Sequence, residues 1–336
     1  MDRIVAALGE IARGVGAFLF APGSPFSVAA LLTSLAVFVT LLMWGKRRRP
    51  VRLAVLLRAV FPRRLLRSAS GRADLWYFLI GVLVLGAMVG WTVIASGEVR
   101  RMVADVIGGP GAAVLPVWLA ATLATAAAFV AHEFGYWLDH WLKHRVPVLW
   151  HFHKVHHQAE SLSLLTNGRI HPVDTAIFAN ILAVTAGVTT AAVERLLGSD
   201  AAPFTVGGTN LLVMACAVLV TNLQHSHIWV TFGPRWGRWL LGPAHHQIHH
   251  SAAEEHFDRN LGSTLAVFDR VFGTFHAPAE RREALRFGVD DGERAPHSLR
   301  AATVQPFVDF AREVQDAARR LRYREPCSGA SLPSPS

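Results

Sequence analysis

Five stretches of this sequence stay almost free of charge for about the 20 residues that a helix needs to cross a bilayer. They are Phe26–Trp44, Leu75–Ala95, Ala112–Ala131, Val173–Val193 and Phe204–Leu223. Asp174, at the head of the fourth, is the one Lys, Arg, Asp or Glu among them. One such stretch could be the core helix of a soluble protein. Five in a chain of 336 residues argue for a bundle in a membrane, where helices satisfy their own backbone groups. Composition agrees, with 52% hydrophobic and 17% charged residues, against about 25% charged in a soluble domain. The predicted fold is all-α: an integral membrane helical bundle of about four or five transmembrane helices with a cytosolic, histidine-rich helical cap.

The net charge of +9 would suggest nucleic acid if it were spread over a surface. It is concentrated instead. Lys46–Arg72 holds ten Lys/Arg and no acid, which leaves 23 basic and 24 acidic residues elsewhere. A basic loop between apolar stretches sets topology and meets anionic lipid, so no nucleic-acid partner is expected. With that loop in the cytosol, the N-terminus and Ser96–Gly111 lie outside, His132–Pro172 inside, Glu194–Pro203 outside, and everything after Gln224 inside. A multi-pass protein of a bacterial inner membrane is expected. Met1–Leu19 lacks a signal-peptide pattern and reads as a short amphipathic helix. The expected organisation is an amphipathic segment 1–22, N-terminal membrane helices 23–131 with the basic loop 46–72, a histidine-rich catalytic unit 132–275 containing two further membrane helices, a cytosolic helical segment 276–324 and a disordered tail 325–336. Within these, Val51–Leu66 reads as an interfacial helix and Thr303–Tyr323 as a docked one.

The histidines carry the functional signal. None of the 17 precedes His132, and 14 fall between His132 and His250. HWLKH places His140 and His144 four residues apart. LWHFHKVHH supplies His153, His156 and His157, and AHHQIHH supplies His246, His249 and His250. Residues at i, i+3 and i+4 share a helix face, so each set can aim its imidazoles at one point. Packed neutral imidazoles need partners and charged ones repel, and a metal ion resolves both. His171 in GRIHP, and His225 with His227 in LQHSHI, lie at the cytosolic ends of the fourth and fifth stretches. His151, His227 and His245 are secondary candidates. One ion takes about four to six ligands, so this supply suits two ions. Cys216 and Cys327 stand apart and offer no thiolate site. An all-nitrogen pair of sites suits non-haem iron with positions open to oxygen.

These boxes, in this order, resemble the fatty acid hydroxylase / sterol desaturase superfamily. GRIHP, LQHSH, Asp258–Gly262 and Phe268–Thr274 add to the likeness, which covers about Glu133 to Phe275. The chain departs from the family's common pattern at Trp141, His227 and Leu261. The resemblance implies two iron ions, O2 as co-substrate and hydroxylation or desaturation of a C–H bond in an acyl or sterol-like lipid. It makes His140, His144, His153, His156, His157, His246, His249 and His250 metal ligands, completed by His171 and His225. Glu133, Asp139, Asp174 and Asp258 are then expected to hold the far N–H of imidazoles, with Asn260 and Arg169 hydrogen-bonding within the site.

The sequence shows no cysteine cluster and no Gly-rich nucleotide loop. Electrons are therefore expected from a separate reductase, ferredoxin-like or cytochrome-like protein. Three other readings compete. A zinc hydrolase should show HExxH, which His132–Tyr136 breaks at its last position. A metal transporter should carry ionisable ligands within its membrane helices. A haem protein needs histidines facing each other inside the bundle.

Overall fold

The computed structural model describes residues 27–45, 67–88, 94–290 and 296–322, with isolated positions among 9–24 and at 292. The described residues are mostly helical. Helix α1 is Val28–Gly45, α2 Ala69–Met88, α3 Ser96–Ile107, α4 Val117–Arg145, α5 Pro147–His157 and α6 Pro172–Leu197. A hairpin of β1 (Thr205–Val206) and β2 (Thr209–Asn210) leads into α7 (Leu211–Gln224). The short α8 (Pro243–His249) and the C-terminal α9 (Gln305–Arg322) follow. Half of segment 1–22, residues 46–66 of the basic loop expected over 46–72 together with its interfacial helix, and the tail beyond 322 lie outside the described residues.

Among the described residues two helices, α4 and α6, are long and apolar enough to cross a membrane. At about 1.5 Å per residue, the 29 residues of α4 reach well beyond a hydrocarbon core of about 30 Å. Its last turns, with His140 and His144, therefore project past the apolar stretch. The two helices pack through Gly135, where an added Cβ would lie 2.8 Å from Thr185 Oγ1. Small residues at such a crossing let helix backbones approach closely. Gly187 does the same for α3 against α6, since a Cβ there would meet the Ser96 carbonyl oxygen at 2.5 Å.

The fifth apolar stretch is shorter as a helix than its sequence suggests. Its first residues form the β1–β2 hairpin, with Thr205 opposite Asn210. Gly207 and Gly208 turn it with φ of 55° and 85°, conformations that favour glycine. Asn210 then caps α7, accepting the Leu212 N–H at 2.9 Å.

Proline starts three helices around the histidines. Pro147 opens α5 and Pro243 opens α8, and Pro172 opens α6 directly after His171. A first-turn N–H is unpaired in any helix, so proline loses nothing there and turns the chain sharply. The α4–α5 corner thus folds the HFHKVHH helix back under the end of α4. On its other side α5 meets α9, where Phe152 packs on Phe307 and Phe310 with ring centroids 5.3 and 5.8 Å apart.

Candidate metal centre

The ends of α4, α5, α7 and α8 converge on one buried region. Two groups of imidazoles form there. His140, His144, His153, His157 and His249 make the first, and His156, His225, His246 and His250 the second. Within each group the candidate ligand atoms lie within 4.8 Å of one another. The groups adjoin, with the His157 and His250 rings stacked at 4.5 Å.

The ring nitrogens divide only in part, since Nδ1 of His225, His246 and His250 is buried without a partner. In five histidines Nδ1 faces an acceptor on the protein. His140 Nδ1 donates to the Leu261 carbonyl at 2.8 Å, His156 to Arg169 at 3.2 Å and His249 to Arg259 at 2.9 Å. His153 meets Asp174 at 2.8 Å and His144 meets Asp258 at 3.2 Å. A proton held on Nδ1 leaves the Nε2 lone pair free to bind. Nε2 of His140, His144 and His249 is buried without a partner. In the second group the four Nε2 atoms face one another. His225 Nε2 is 2.9 Å from His246, 3.0 Å from His156 and 3.2 Å from His250.

An ion fits both groups. Two imidazoles bound about 2.0–2.1 Å from an ion at right angles place their nitrogens roughly 3 Å apart, the spacing seen here. Burial, reinforced by the neighbouring imidazoles, holds His156, His157, His246, His249 and His250 well below the ordinary histidine range. Burial alone takes His225 down to about 3. These rings are neutral at neutral pH, the form that binds metal.

The other candidates lie elsewhere. His171 is outside both groups: its Nδ1 accepts the Val173 N–H at 3.1 Å and so caps α6. His245 closes the start of α8, accepting the Gly242 N–H at 3.1 Å and meeting the Gly237 carbonyl at 3.0 Å. His151 lies 3.9 Å from Glu313, and His227 also falls outside the groups. Of the acidic candidates, Asp174 and Asp258 touch imidazoles. Glu133 instead accepts the N–H groups of Thr264 and Leu265 at 2.8 and 2.6 Å. Asp139 pairs with Lys143 at 2.6 Å. Asn260, with φ of 54°, bonds the carbonyls of His245 and His276 at 3.1 and 2.9 Å. Asp258 also has a positive φ, of 57°. Its bond to His144 outweighs burial and lowers its carboxyl below the usual range.

Two buried cations support this shell. Lys143 bridges Asp139 and Asp174, so the carboxylate that holds His153 is itself held. The sequence carried a signal for it, a Lys four residues after an Asp inside an apolar helix. Arg169 is fully buried. Its guanidinium donates to the Val155 carbonyl at 2.8 Å and to Asp74 at 3.2 Å, tying α5 to α2.

Residues 125–274 match the fatty acid hydroxylase family. Among similar proteins, ornithine lipid hydroxylase OlsE of Rhizobium tropici is 30% identical over 178 residues, which are 53% of this chain and 48% of that protein. Human alkylglycerol monooxygenase is 26% identical over 155 residues, 46% of this chain and 31% of its own length. The Xenopus tropicalis alkylglycerol monooxygenase is 28% identical over 157 residues, 46% of this chain and 30% of that protein. The matched stretch thus spans half or less of each of these relatives. No solved structure matches the chain.

Proposed function

Because residues 125–274 belong to the fatty acid hydroxylase family, we propose that this chain is a multi-pass membrane oxygenase that hydroxylates a C–H bond of a lipid, using O2, two iron ions and electrons from a separate protein. One observation carries the reading: nine buried imidazoles gather into two adjoining groups inside the matched segment. The donor set fits iron, and the nitrogen spacing leaves room for an ion in each group. Bound iron would supply an oxidant strong enough for an unactivated C–H bond, which side-chain acid–base chemistry cannot attack.

The chain's own residues do the rest. His140, His144, His153, His157 and His249 hold one ion, and His156, His225, His246 and His250 the other. Asp174, Asp258 and the carbonyls of Leu261, Arg169 and Arg259 fix ring orientation through Nδ1. Tyr136 and Phe178 lie beside the first group, with the Tyr136 ring 5.8 Å from His140 and 5.6 Å from Phe178. Both are on the apolar helices α4 and α6, so a chain arriving from the bilayer meets aromatic walls that exclude water before it meets the imidazoles.

The basic loop 46–72 supports a site on the cytosolic face. The unit 132–275 carries the chemistry, and the segments around it anchor it. The named activities of the relatives, on ornithine lipid and alkylglycerol, support a polar lipid as substrate. Lipid mass spectrometry of cells expressing the protein or its His249→Ala variant tests this. A lipid that gains one oxygen only with the intact chain is the expected result. A lipid that instead loses two hydrogens makes the enzyme a desaturase. No change, with iron bound and an electron donor supplied, removes the oxygenase reading.

A further inference from the structure

We propose that Ser34 and Asn222 hold open a π turn in α7, and that this turn aims His225 into the second histidine group. The inference rests on the two-ion reading only for what His225 binds.

Residues Ala217–Thr221 of α7 form a π helix. The Asn222 N–H reaches five residues back to the Ala217 carbonyl. In an α-helix that N–H would serve Val218, so the Val218 carbonyl loses its usual donor. The Ser34 hydroxyl, on α1, lies 2.9 Å from the Val218 oxygen and 2.9 Å from the Ala30 carbonyl of its own helix. A helical serine ordinarily turns only to its own helix. Here it also reaches across to the carbonyl that the π turn released. Asn222 Nδ2 donates to Ser34 Oγ at 3.1 Å, and Asn222 Oδ1 accepts from Asn167 at 3.4 Å. Ser34 and Asn222 are 1% and 4% exposed, and their chain neighbours Leu35 and Leu223 belong to an apolar cluster with Val37, Leu164 and Ile228. In such apolar surroundings a released carbonyl is costly, so the turn persists only with its donor.

The turn matters because of where it lies. A π turn holds one residue more than the α-turn it replaces, which rotates everything after it by about 100°. His225 comes three residues after the turn closes at Asn222. Its three partners stand on other elements, His156 on α5 and His246 and His250 at α8. Without the extra residue His225 would point away from all three, and the second group would keep three of its four imidazoles. The first group takes no ligand from α7 and stays whole. Ser34 and Asn222 are thus positioning residues: neither belongs to a histidine group, and both act through His225.

The test uses the purified full chain and three variants, Ser34→Ala, Ser34→Thr and Asn222→Ala, with His225→Ala as reference. Iron per chain is measured during titration with a competing chelator. Separately, carbethoxylation of His225 by diethyl pyrocarbonate is followed in the metal-free chain by peptide mass spectrometry. Ser34→Ala and Asn222→Ala are expected to weaken one ion about tenfold or more, as His225→Ala does, and to raise His225 modification severalfold. Ser34→Thr, which keeps the hydroxyl, should behave as the parent. Unchanged iron binding and unchanged His225 reactivity in both hydroxyl and amide deletions would overturn the inference. So would loss of both ions together, which marks a general folding role. A parent chain that takes up no second ion would count against the two-ion reading, while His225 reactivity in the metal-free chain would still decide this one.

Discussion

At the scale of single residues, the site depends on what stands behind each imidazole. Asp174 accepts from His153 Nδ1 and also receives the Lys143 ammonium. Its charge therefore orients the ring and makes it a better donor. Asp174→Asn keeps the shape and removes the charge. Iron affinity is expected to fall about 10–100-fold, with the loss confined to the first group. Chelator competition reads this directly, and unchanged affinity would show that Asp174 serves only Lys143. The HxxHH spacings made the convergence of these rings legible in the sequence, because i, i+3 and i+4 fix a shared face before any tertiary contact is known. The acceptors behind the rings were mostly illegible. Leu261, Arg169 and Arg259 act through their carbonyls, and a carbonyl is the same on every residue. Only the carboxylates of Asp174 and Asp258 left a mark that could be read beforehand.

At the scale of elements, the histidine helix α5 is clamped between α4 and the C-terminal helix α9. The aromatic part of the clamp is Phe152 with Phe307 and Phe310. The polar part is Lys154 with Asp309 at 2.8 Å, both largely buried. Burial would raise the Asp309 carboxyl, but the bonds from Lys154 and Gln305 and the Lys154 charge outweigh this, and the group lies below its ordinary range. A carboxyl lowered on folding stabilises the fold above its unfolded value and loses that effect as pH falls through the lower folded value. Asp309→Asn should thus cost about 1.5–3 kcal/mol at neutral pH, seen as faster proteolysis ahead of α9. The difference from the parent should disappear as pH falls below about 4. A difference that persists at lower pH would mean that packing, and not the ion pair, holds α9. The amphipathic pattern over Thr303–Tyr323 made a docked helix readable, and Gln305–Arg322 is helical. The shortened α7 was not readable in the same way. A hydropathy window averages over the Gly207–Gly208 turn and the π turn, and neither interrupts the run of apolar residues.

At the scale of the whole molecule, three helices meet the site in alternation. α4 arrives with its C-terminal turns, α6 departs from His171, and α7 returns to deliver His225. Helices that alternate in this way put both histidine groups at one end, and put Glu194–Pro203 and the β1–β2 hairpin at the other. That shared end was legible early, because both HxxHH sets had to face one compartment if they served one site. We propose that its compartment is the cytosol, a reading supported by the ten basic residues of Lys46–Arg72, since such loops resist translocation. Ser199 is exposed beyond the far end of α6, and Glu280 is exposed past the histidine-rich segment. In a background with Cys216 and Cys327 replaced by Ser, Ser199→Cys should react with a membrane-impermeant maleimide in intact spheroplasts. Glu280→Cys should react only after lysis. Labelling of both positions from one side would mean that α6 does not cross the bilayer, so the helix would have to bury its apolar face against protein. Labelling with the two sides exchanged would leave the helices crossing as described and move the metal centre outside, out of reach of a cytosolic electron donor.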